Sequence, residues 1–154
     1  MKARTLIVTL MLCFVGVGLT FAADDGFMGI WKLNAAKSKL AARAPINHTV
    51  VYEAAGDTVK IIVDGTDSEG KAAHEEWTGK FDGKDYPVAG NPNSDTRSYT
   101  KIDARTLEFN AKKGGRVTVN GRVVVSADGK SRTVSSAGTD PEGKRFTSTA
   151  VYDK

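Results

Sequence analysis

The chain has 154 residues, with 22 Lys+Arg against 18 Asp+Glu, one cysteine and two histidines. That length suits one domain built on a single sizeable core. The charge excess falls far short of a nucleic-acid footprint, and the composition equally excludes a disordered tail and a disulfide scaffold.

The first 22 residues form a segment of their own. Met1 to Arg4 is short and positive, and Leu6 to Phe21 is an almost unbroken apolar run without charge. Thr20-Phe21-Ala22 ends in small residues, and Asp24-Asp25 stops the run. This three-part pattern is that of a cleaved secretory signal over residues 1–22, and the run is short for a membrane span. The alternative is an uncleaved membrane anchor. Cys13 lies mid-run behind Leu12, which is bulkier than the residue lipoprotein processing needs, so no lipid is expected on it. Removing 22 of 154 residues leaves 132, with 20 basic against 18 acidic groups and no cysteine. The full-chain pI of about 9.2 therefore overstates how basic the mature domain, residues 23–154, is. Its expected location is periplasmic or secreted, with no membrane span after signal removal and with stability drawn from core and sheet.

Gly29-Ile30-Trp31-Lys32-Leu33 opens the first strand, with Gly29, Trp31 and Leu33 on one face, so Trp31 is expected to be buried. Residues 34–44, rich in Ala and Lys and closed by Pro45, make either one or two helical turns, as a lid or plug, or an irregular loop. From Thr49 onward, β-branched and aromatic runs occupy residues 49–53, 58–63, 72–78, 96–102, 106–111, 116–126, 132–137 and 146–152. Glycine turns separate them, and an acidic-Gly-Lys triplet recurs four times: Glu69-Gly70-Lys71, Asp82-Gly83-Lys84, Asp128-Gly129-Lys130 and Glu142-Gly143-Lys144. Short strands at regular spacing with turn signals between them predict an all-β fold, either a sandwich or a barrel.

Alternation assigns faces within the runs. Val59, Ile61 and Val63 share one; Leu107, Phe109 and Ala111 share another; Phe146, Ser148, Ala150 and Tyr152 share a third. Arg97, Arg122 and Arg132 lie in or beside strands, where an inward arginine needs a carboxylate or an anionic ligand. Arg122 opposes Val123 and Val125 and reads as outward. Arg132 shares a face with Val134 and is the best candidate for an inward charge; the alternative is an exposed hairpin residue beside Lys130. The longest turn-rich stretch runs from Phe81 to Asp95, with Pro87 and Pro92, and reads as a long connection across one barrel end.

Gly29-x-Trp31 in the first strand, the meander, and the closing Tyr152-Asp153-Lys154 together resemble the calycins, in an exported, bacterial-type form. Gly-x-Trp resembles the lipocalin first strand, and the last three residues resemble the closing Tyr-Glu-Lys of intracellular fatty-acid-binding proteins. The resemblance implies a single antiparallel up-and-down β-barrel of eight to ten strands, lipocalin-like, in which Trp31 is structural, closing one end. In the fatty-acid binders the position two before that tyrosine is an arginine that grips a carboxylate; here it is Ala150. Their helix-turn-helix lid has no clear counterpart either. Weak binding of long-chain carboxylates, or a preference for neutral apolar ligands, is therefore expected.

Motifs for chemistry are absent. His48 and His74 are far apart, His74-Glu75-Glu76 lacks a second histidine, and no cysteine remains to complete a zinc site, so no metal is expected. Asp64, Asp67 and Glu69 crowd one turn but fail the EF-hand spacing. No Gly-x-Ser-x-Gly elbow and no phosphate loop occur, so neither an enzyme nor a cofactor is expected. The function expected is binding of a small, mostly apolar molecule inside the barrel, against Tyr52, Tyr99, Phe109, Arg132 and Tyr152. Tyr99 follows Arg97 on a face that parity does not fix. The alternative is a protein-binding module, an inhibitor or envelope partner, acting through the stretch from Phe81 to Asp95.

Overall fold

The computed structural model describes residues 26–154. The segment read as an export signal, Cys13 included, lies outside the described residues. Ten strands follow one another round a closed antiparallel barrel: β1 (Gly29–Leu33), β2 (Ile46–Ala55), β3 (Thr58–Thr66), β4 (Ala72–Gly79), β5 (Tyr86–Ala89), β6 (Thr96–Asp103), β7 (Thr106–Lys113), β8 (Arg116–Val125), β9 (Ser131–Thr139) and β10 (Arg145–Asp153). Every strand pairs with its neighbours in the chain and β1 meets β10, so the single up-and-down sheet has no open edge.

Alternation builds the wall. Ile61 and Val63 are buried, while Lys60 on the other face of β3 pairs with Glu76 at 3.0 Å. Arg122 points outward, as parity predicts, onto Glu108 across the β7–β8 ladder. The acidic residues of the tips serve the turns. Asp67 Oδ1 accepts hydrogen bonds from the backbone N–H of Glu69 and Lys71, and Asp140 Oδ1 from those of Glu142 and Lys144. Gly70 and Gly143 complete these tips at positive φ.

The stretch from Phe81 to Asp95 is not one long connection, and this corrects the sequence reading. It carries β5, four residues that pair with β4 at Trp77↔Val88 and with β6 at Tyr86↔Arg97. Pro87 within the strand is tolerated because β5 is short and each ladder has only two register pairs, and Pro92 lies beyond its end. Residues 34–45 form one 3-10 turn, Ala35–Lys37, within an otherwise irregular strap. The β1–β10 seam itself has only two register pairs. The strap extends it: Asn34 N donates to Val151 O, Lys39 bridges Thr149, and Ser38 Oγ accepts from Val151 N at 2.9 Å.

One end of the barrel is sealed by aromatic side chains. Trp31 is fully buried, and its Nε1 donates to Phe27 O at 2.8 Å. Phe81 packs edge-on to Phe27 at 6.1 Å and stacks on Trp77 at 6.3 Å, and Trp77 meets Tyr99 edge-on at 4.9 Å. Leu107 and Val125 complete this floor.

Candidate ligand cavity

Above the floor the barrel is hollow. A cavity of about 220 Å³ runs from Tyr52, Tyr99 and Tyr152 to the opposite end, where Pro45, Pro92 and Pro141 border it. The strap crosses that end and contributes Leu40, Arg43 and Ala44 to the lining. Small side chains make the room: Ala111, Ser136, Ser148 and Ala150 stand where larger ones would fill the interior. Phe109 lies against Gly121, its partner across the β7–β8 ladder, where a Cβ would come within 2.6 Å of the ring. The glycine therefore fixes where the Phe109 ring sits.

All five residues singled out from the sequence line this one cavity. Tyr52, Tyr99, Arg132 and Tyr152 are buried and Phe109 is half-buried. Arg132 is inside, not on a hairpin surface: only 3% of it is exposed. It stands opposite Tyr152 on β10 and Val125 on β8, both inward-facing, so the register leaves it no outward choice. Its guanidinium carbon lies 4.9 Å from the Trp31 ring centre, 4.7 Å from that of Tyr52 and 4.9 Å from that of Tyr152. Three π faces compensate a desolvated cation. They do not supply oxygen acceptors, and Arg132 Nε and Nη1 are buried without any hydrogen-bond partner. None of the ion pairs among the described residues involves Arg132.

A second guanidinium is answered. Arg97 Nη2 donates to Glu75 Oε2 at 2.9 Å, and both side chains are nearly buried. Glu75 Oε1 accepts from Asn91 Nδ2 at 2.7 Å. Only Arg97 Nε is left without a partner. The sequence reading passed over Glu75, treating it as part of a failed zinc motif. Its signal was parity with Trp77: Ala73, Glu75 and Trp77 share the inner face of β4, just as Arg97 and Tyr99 share that of β6.

Burial holds the phenols neutral. Tyr152 is pushed up to about 12 by desolvation, against the opposing pull of Arg132, and its hydroxyl donates to Asn47 O at 3.1 Å. Desolvation and the nearby Tyr52 raise Tyr99 well above the ordinary phenol value, although Arg97 and Arg132 both act to lower it. Tyr99 thus lies within the field of both guanidiniums. With Glu75 offsetting one of them, the interior carries one positive charge in excess.

His74 is outside the cavity, on the exposed face of β4, with Nδ1 2.6 Å from Asp64 and Nε2 3.3 Å from Glu76. Among the described residues, no group of three or more His, Cys, Asp or Glu side chains is arranged to hold a metal ion. No described helix is long and apolar enough to cross a membrane.

No family model matches the chain, and no curated protein matches it. Among solved structures, it is similar to a redesigned β-barrel, mFAP1, bound to DFHBI, with a TM-score of 0.47 and 14% sequence identity. The likeness covers 84% of this chain and 95% of that one. What the cavity can hold is read from its own residues.

Proposed function

We propose that this protein is an exported, lipocalin-like carrier that takes a compact, mostly apolar molecule into its barrel and catalyses no reaction. The observation that carries this reading is the cavity of about 220 Å³, sealed by aromatic rings at one end and bordered by the strap at the other. That volume exceeds the roughly 150 Å³ that holds benzene and falls short of the about 300–1,000 Å³ of drug-sized sites. One or two rings is the scale that fits. The Gly29-x-Trp31 start and the Tyr152-Asp153-Lys154 end support a place among the calycins, and the apolar run before Ala22 supports export to the periplasm or medium.

Native mass spectrometry of the exported protein, paired with displacement of an environment-sensitive fluorescent probe, tests the reading. A co-purified small molecule is expected, as is probe binding that Tyr152→Ala weakens several-fold. A probe that never binds wild type, or binds both proteins equally, removes the internal site.

A further inference from the structure

We infer that the cavity selects a compact organic monoanion, an apolar ring body carrying one carboxylate-like group that meets Arg132. This deepens the carrier reading and rests on it. Among the described residues, the buried side-chain nitrogens and oxygens without partners are Arg97 Nε, Arg132 Nε and Arg132 Nη1, and all three are donors. A ligand that completes this interior supplies acceptors, because an unanswered buried donor costs roughly 1–3 kcal/mol. The charge balance points the same way. Glu75 is engaged by Arg97 and Asn91, so the charge left over is that of Arg132. One negative charge neutralises the interior; a neutral ligand leaves a buried cation supported only by ring faces.

The rest of the lining sets the body of the ligand. Tyr52, Tyr99, Phe109 and Tyr152 present ring surface around the deep half of the cavity, with Val50 and Val63 beside them. The floor is closed by Phe81 and Trp77, and a cavity of about 220 Å³ suits a compact ring body. Ala150 replaces the arginine that a fatty-acid binder would use, and the cationic group enters instead from the neighbouring strand, β9. An aromatic or alicyclic acid therefore fits where a long-chain acid does not.

The test compares 2-naphthoate with its uncharged isostere 2-naphthamide, by calorimetric titration of wild type, Arg132→Met and Arg132→Lys, with acetate as a third ligand. Wild type is expected to bind naphthoate about ten- to a hundredfold more tightly than naphthamide. Arg132→Met, which keeps the length of the side chain and loses its donors, removes the preference for naphthoate over naphthamide. Arg132→Lys keeps the charge without the planar fork and falls between. Equal binding of the two naphthalenes by wild type overturns the inference while leaving the carrier reading in place, and this arm needs no variant to fold. A preference that survives Arg132→Met removes Arg132 from the site. Acetate binding as tightly as naphthoate removes the apolar body. Failure of both naphthalenes to bind removes the cavity reading and the inference together.

Discussion

Arg132 and Tyr152 stand directly opposite each other on the β9–β10 ladder, both facing into the barrel, with the guanidinium carbon 4.9 Å from the centre of the phenol ring. The ring shields the cation and the cation moderates the ring: without Arg132, burial would raise Tyr152 further still. One cross-strand pair thus sets both the charge and the shape of the deep half of the cavity.

The titration of that ring carries a stability prediction. Tyr152 has an ordinary value of 10.0 and is pushed up to about 12 in the fold, so folding favours its neutral form. The stabilisation is complete below the unfolded value and is lost as pH rises through that interval. Urea midpoints are expected to fall between pH 10 and about 12. Tyrosinate absorbance of the native protein is expected to lag that of the denatured one. Native and denatured curves that coincide would overturn the burial of the phenols.

Trp31→Ala removes one of the two indole rings from the sealed end together with its hydrogen bond to Phe27 O. The expected cost is about 3–5 kcal/mol, read from denaturant midpoints. A loss within about 0.5 kcal/mol, the size expected of a surface substitution, would mean that Trp31 does not close the barrel.

Two carboxylates make a paired test of burial. Glu75 holds the nearly buried Arg97, so Glu75→Gln strands a cation and is expected to cost about 3 kcal/mol. Glu108 meets Arg122 on the exposed face, so Glu108→Gln is expected to stay within about 1 kcal/mol. Equal effects would remove the distinction between an inner and an outer ion pair.

Export is checked by intact mass. Expression of the full chain in a bacterial host is expected to yield a soluble product that begins at Ala23 and carries no lipid. Retention of residues 1–22, or a lipid mass on Cys13, overturns the expected compartment.

The barrel was legible in the sequence because its cause is local. Alternating residues point to opposite faces of a strand, and glycine at positive φ turns the chain back. Those two rules predict the strand meander, the burial of Trp31, and the inward faces of Tyr52, Phe109 and Tyr152, while the choice of a barrel over a sandwich rests on the resemblance to the calycins. Only the tertiary structure decided the rest, since it depends on which strands meet. Tyr99 acquired its face through the ladder with β7, where it stands opposite Phe109. β5, four residues with Pro87 among them, is too short to show a period, and its pairing with β4 and β6 is visible only in the closed sheet. Glu75 and Arg97, 22 positions apart, meet across that short strand. From the sequence, Arg132 reads better as a surface hairpin residue beside Lys130, and its register against Tyr152 corrects this by placing it inside. Parity fixes a face within one strand; which face becomes the interior, and which charges meet there without a partner, is settled only when the sheet closes on itself.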